Sequence, residues 1–240
     1  NGTINAYKNI RRAGFENVNL DLLYLIPGQT IQHWEMDLNK VIDLEPEHIS
    51  TYALDYEQGT VLSSLVSEGM LPSPPLDLDA KFFQMAHDNL SLGGYSAYEV
   101  SSFCKEGRSC KHNLHYWNIE PYLAFGPSAH GFDGKNRWYN IESLDHYMNT
   151  VDSDRSPICN KEHLTEINIT NELVGFRMRM INGLDLKKIP KALREEYREK
   201  IMNVVNKYPD YFKISDSTIS FNENGLILSD QIIPEMLLLK

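Results

Sequence analysis

At 240 residues, 42% of them hydrophobic and 23% charged, the chain is long enough for one large globular domain or two small ones. Its net charge of −10 argues against a nucleic-acid backbone or an anionic membrane as the main partner, and no apolar run approaches the roughly 18 residues of an integral membrane segment. Cys104, Cys110 and Cys159 are too few for a disulfide framework, and no secretory signal is read in the polar stretch 1–9, so a cytoplasmic location is expected. The missing initiator methionine reads as a chain cut from something longer.

Residues 4–13 read as a helix, with Ala6, Ile10 and Ala13 at helical spacing and Gly14 as its stop. Val18, Leu20 and Leu22 then alternate with Asn17, Asn19 and Asp21, a strand with one apolar and one polar face. Pro27-Gly28-Gln29 is a turn, Thr30 an N-cap, and Ile31, Trp34, Leu38 and Val41 are the buried stripe of a helix over 31–44. A second strand over 49–55 completes a strand–helix–strand unit, which implies a parallel sheet. A strand covered on both faces would be apolar throughout, so Asn19 and Asp21 face either a barrel interior or water beside an edge strand. A connection over 59–75 closes on a Pro-rich stretch. A helix over 78–92 follows, with Phe82, Met85, Ala86 and Leu90 inward, and then a third strand over 95–101.

The segment from Cys110 to Trp117, Cys-Lys-His-Asn-Leu-His-Tyr-Trp, falls in a predicted loop over 103–117. Two imidazoles, an amide, a thiol and two aromatic rings are groups that could grip a flat, metal-bearing macrocycle; the alternative is a packed loop. The run Tyr122-Leu-Ala-Phe-Gly-Pro-Ser-Ala-His-Gly131 has glycines and a proline that allow close backbone approach. A helix over 141–151 precedes a polar segment, 152–160, read as a linker between a domain over 1–151 and a second over 152–240. Helices over 165–181 and 190–207, a hairpin of 212–214 with 218–221 and a closing helix over 229–239 suggest a winged-helix-like module. The acidic balance favours a structural or partner-binding lid over DNA recognition.

Taken in order, Asn19-Leu-Asp-Leu-Leu-Tyr-Leu-Ile-Pro-Gly-Gln-Thr30, Pro46-Glu-His-Ile-Ser-Thr-Tyr52, Tyr98-Glu-Val-Ser-Ser-Phe103, Cys110–Trp117 and Tyr122–Gly131 resemble the oxygen-independent coproporphyrinogen III oxidase-like family of radical S-adenosylmethionine (SAM) proteins. The His112-Asn113-x-x-Tyr116-Trp117 element places the resemblance in its heme-chaperone branch, since the genuine oxidase lacks it. The resemblance implies an α/β fold: the C-terminal strands of a partial (β/α) barrel, an insert, and a mostly helical tail. The family's Cys-x-x-x-Cys-x-x-Cys motif is absent, so a 4Fe–4S cluster and SAM cleavage are expected only of a longer protein, and this chain alone is expected to be inactive.

By resemblance, Asp21, Asp55 and His130 belong to the SAM site. Their alternative is a structural hydrogen bond at a strand end. His112 is the expected axial ligand to heme iron, with Asn113 bonding its far nitrogen and Tyr116 and Trp117 offering flat apolar area; Cys110 and His115 are alternative ligands. Leu25 stands where relatives usually carry Gly, Gln58 where they carry Pro, Ser102 where they carry Asn, and Cys104 where they carry a small residue. The expected function is a heme-binding chaperone that hands heme or a porphyrin to apoproteins. The alternatives are a coproporphyrinogen III oxidase of porphyrin biosynthesis and a non-catalytic scaffold. A strand at 18–24 with an open edge is expected to drive self-association.

Overall fold

In the computed structural model, which describes residues 2–73 and 78–239, helix α1 (Gly2–Arg12) stops before Gly14, whose φ is +91°. Strand β1 (Asn19–Tyr24) turns Leu20 and Leu22 toward the core and Asn19 and Asp21 away from it. The Thr30 hydroxyl accepts the His33 N–H, and the His33 ring accepts the Thr30 N–H in return, so helix α2 (Ile31–Leu44) starts and ends where its periodicity predicts. Strand β2 (His48–Ala53) pairs parallel with β1, register Asn19 to His48 and Asp21 to Ser50, as the strand–helix–strand order requires. Arg11 ties α1 to this sheet through Glu47, at 2.8 Å.

The connection after β2 contains helix α3 (Val61–Ser67); its Pro74–Pro75 close lies outside the described residues. Helix α4 (Leu78–Leu92) packs Phe82, Ala86 and Leu90 beside Trp34, Leu38 and Val41, and the Trp34 indole N–H donates to the Phe82 carbonyl at 2.9 Å. The expected third strand is shorter, β3 (Ser96–Glu99), and folds straight back into β4 (Ser102–Cys104). The sheet order is β1-β2-β4-β3, with β4 inserted antiparallel between β2 and β3. Three residues are too few for periodicity to announce a strand.

The chain divides into compact units 1–110 and 111–240. The second opens with helix α5 (Lys111–Trp117), which replaces the end of the expected loop. Strands β5 (His130–Phe132), β6 (Asn136–Asn140) and β7 (Ile158–His163) form an antiparallel sheet around helix α6 (Leu144–Asp152). Gly131 is required there, since a Cβ would lie 2.3 Å from the Trp138 indole. Helix α6 begins later than expected because Ser143 caps it, while the Ile141 N–H goes to the Pro157 carbonyl. The expected linker at 152–160 is corrected: β7 lies partly within it and pairs with β6, so no domain boundary falls at 151. Every residue of β7 is exposed, which removes the apolar alternation that would have marked it.

Helix α7 (Glu166–Met178) is capped by Thr165 and Asn168; strand β8 (Leu184–Asp185), helix α8 (Arg194–Lys207) and the hairpin β9 (Phe212–Ser215) with β10 (Thr218–Phe221) follow. These strands pair in the order β8-β10-β9. The closing helix expected over 229–239 is corrected to α9 (Glu223–Ile227), α10 (Ser229–Ile232) and a 3-10 turn (Ile233–Met236); Pro234 has no N–H with which to continue a helix.

Candidate functional site

In the first unit the polar faces of β1 and β2 coincide. Parallel pairing puts His48 beside Asn19 and Ser50 beside Asp21, and β4 adds Ser102 opposite Ser50. A carboxylate only accepts, so the Asn19 amide NH2 must face Asp21, which it reaches at 2.7 Å. The Asn19 carbonyl oxygen then accepts from the Ser50 hydroxyl at 3.2 Å and lies 2.7 Å from His48 Nδ1. His48 Nε2 lies 2.8 Å from the Tyr98 hydroxyl on β3. Burial pushes the His48 pKa below the ordinary histidine value, against the pull of Asp21, and burial raises that of Tyr98. His48 and Ser50 are buried while Asp21 is exposed at the end of the chain of bonds. Asp55 is exposed just beyond β2 and makes no hydrogen bond among the described residues.

Two neighbouring features bear on this site. Leu25 follows β1 with φ +61° yet is buried, and its carbonyl accepts from the Tyr56 hydroxyl at 2.7 Å. A left-handed conformation at a buried leucine is costly and is normally a glycine position. A cavity of about 450 Å³ opens beside it, lined by Leu25, Gly28, Gln29, Thr30 and Phe82 among others.

In the second unit helical spacing divides residues 111–117 of the cluster between faces of α5. His112 and Tyr116 lie four residues apart on α5, their rings edge to face at 4.9 Å, and Tyr116 meets Tyr122 at 4.7 Å. His112 is exposed, and no hydrogen bond engages its ring among the described residues. Trp117 turns instead to Phe176 of α7, at 5.4 Å. The Asn113 bond to His112 is corrected: adjacent helical residues do not face each other, and none forms. His115 is corrected as a free ligand too, since its Nε2 bonds the Pro121 carbonyl at 2.9 Å and its Nδ1 lies 2.6 Å from Glu120. Cys110 is half-buried with a free thiol. His130 is exposed at the head of β5, its ring 5.5 Å from that of Tyr139.

Asp21, Asp55 and Cys110 therefore belong to the first unit, and His130, His112, Asn113, His115, Tyr116 and Trp117 to the second. A 4Fe–4S cluster does not fit: no three His, Cys, Asp or Glu side chains gather as a metal site among the described residues, and Cys104 is buried. Sequence reading missed His48, Ser50 and Tyr98. The signal was present, because His48 and Ser50 alternate as Asn19 and Asp21 do.

No protein-family model matches the chain. It is 29% identical to the heme chaperone HemW of Bacillus subtilis over 95% of this chain and 60% of that protein. It is 34% identical to the HemW of Mycobacterium tuberculosis over 76% of this chain and 47% of that one. Among solved structures it resembles coproporphyrinogen III oxidase (HemN) from Escherichia coli, a radical SAM enzyme, with a TM-score of 0.79 at 19% identity, covering 98% of this chain and 58% of that one. The chain thus spans about half to three fifths of these relatives' length. The structural likeness establishes a shared α/β fold.

Proposed function

Because the chain is a member of the HemW/HemN-like radical SAM family, we propose that it is the heme-binding part of a heme chaperone. The observation that carries this is the His112–Tyr116 pair on α5: an exposed imidazole with no hydrogen bond among the described residues, beside a half-buried aromatic ring, in a stretch similar to heme chaperones. His112 ligates the iron, and Tyr116 and Tyr122 lie along the porphyrin. Trp117 holds α5 on α7 rather than touching heme, although its indole N–H is buried without an acceptor among the described residues.

Asp21, at the end of the polar chain on β1, meets the cationic or hydroxyl groups of SAM, with Asp55 as a further contact. The cluster and the rest of the SAM site belong to a portion of the protein outside this chain. The first unit represents the last strands of a partial barrel, and α7, α8 and the β9–β10 hairpin a winged-helix-like tail. The recipient is an apoprotein, and the setting is the cytoplasm; no helix among the described residues is long and apolar enough to cross a membrane.

Hemin titration at the Soret band tests the assignment. The 240-residue chain binds saturably, and His112→Ala weakens binding by at least about tenfold, as expected for loss of an axial ligand. Equal binding by parent and variant, with an unchanged Soret band, removes His112.

A further inference from the structure

The bonds around His48 have only one self-consistent set of donors. Asp21 accepts, so Asn19 gives it the amide NH2 and turns its carbonyl oxygen to His48. That oxygen can only accept, so His48 Nδ1 carries the proton. In a neutral imidazole Nε2 is then bare, and the Tyr98 hydroxyl must donate to it. The tyrosine oxygen in turn receives the Cys110 amide N–H and faces the Ser102 hydroxyl. The result is a one-way chain, Tyr98 to His48 to Asn19 to Asp21, running from a half-buried tyrosine through the buried histidine to an exposed amide and carboxylate.

We propose that His48 is a positioning residue: fixed as the Nδ1–H tautomer, it holds Asn19 so that the amide aims the exposed Asp21 carboxylate at a ligand. The purpose ascribed to Asp21 rests on the reading above; the tautomer and the aiming do not. A free aspartate on a strand samples several rotamers, whereas one anchored by a charge-assisted bond to an amide that is itself anchored twice does not. Ser50 supplies the second anchor on Asn19.

The arrangement also sets its own pH range. The groups facing His48 are Asp21 from β1, Tyr98 from β3 and the Cys104 thiol, its register partner on β4; the nearby Glu99 carboxylate accepts from the Ser101 amide. A proton on Nε2 would set a second donor against the Tyr98 hydroxyl and break the direction of the chain. Burial resists that proton, so the aim persists below the ordinary histidine range.

The test uses the isotopically labelled chain without ligand first. In the parent, His48 shows a protonated Nδ1 and a bare Nε2 in long-range ¹H–¹⁵N spectra. Asn19→Ala moves the proton toward Nε2, Tyr98→Phe lifts the titration back toward the ordinary histidine value, and His48→Ala shifts the Asp21 carboxyl carbon toward that of a freely rotating aspartate. An Nε2–H tautomer in the parent, or an Asp21 resonance unmoved by His48→Ala in a folded variant, overturns the proposal. SAM added as probe separates this from the functional reading. Binding weakened about tenfold by both Asp21→Asn and His48→Ala supports both. Weakening by Asp21→Asn alone overturns the positioning role. Binding indifferent to Asp21→Asn removes Asp21 as the ligand contact; where the chain alone binds no SAM, the spectra alone decide the aiming.

Discussion

Leu25 carries a conflict that one substitution resolves. Its side chain is buried, but its φ of +61° belongs to glycine. At ordinary positions alanine is more stable than glycine by about 0.5–1 kcal/mol; here the left-handed backbone costs an L-residue about 1–2 kcal/mol, so the order reverses. Both variants lose the packing of the leucine, and Leu25→Gly is expected to be the more stable of the two by about 1 kcal/mol in urea unfolding. The usual order, alanine above glycine, would show that the strain is absent. His48 makes a second residue-scale prediction. Its folded pKa lies below the unfolded value of 6.5, so the unfolded chain binds more protons in the window between the two. Its contribution to stability is complete above about pH 6.5 and is lost as pH falls from there toward the folded value. The urea midpoint of the parent therefore falls more steeply below pH 6.5 than that of His48→Gln. Parallel curves would remove the histidine as the cause.

Among the elements, α5 shows what a linear reading loses. The cluster's residue types are plain in the sequence, but a loop would let all of them converge on one ligand. A helix assigns them to faces: exposed His112 beside Tyr116, which packs on Tyr122, and Trp117 to α7. The two faces are separable by mutation. Trp117→Ala is expected to lower stability by about 2 kcal/mol, less than a fully buried tryptophan because the residue is only half-buried. His112→Ala is expected to leave the unfolding midpoint within about 0.5 kcal/mol of the parent, as exposed substitutions usually do. Equal destabilisation by both would place His112 in the core. The capped helices α2 and α7 were legible because their start signals are local. Strands β4 and β7 were not, one being three residues long and the other exposed along its whole length.

At the scale of the whole chain, β1 ends its sheet, hydrogen-bonded to β2 alone among the described residues. Leu23 on that strand is 43% exposed. An unpaired edge with an exposed apolar residue is a template for another chain. The isolated chain is expected to self-associate with concentration in light scattering, and Leu23→Lys to shift it toward monomer by placing a charge on the edge. A parent that stays monomeric at high concentration would show that the edge is otherwise protected.

The sequence by itself determined the α/β class, the parallel β1–β2 pair, the helices that cover one face of it, and family membership. Each of these rests on periodicity, capping or motifs within a few tens of residues. It also located Asn19 and Asp21 on a polar face. Only the tertiary structure decided that His48 and Tyr98 complete that face, that β4 enters between β2 and β3, and that the second unit begins at 111. These depend on pairings between residues far apart in the chain. Register across a sheet is set by which faces bury together, which no single segment records.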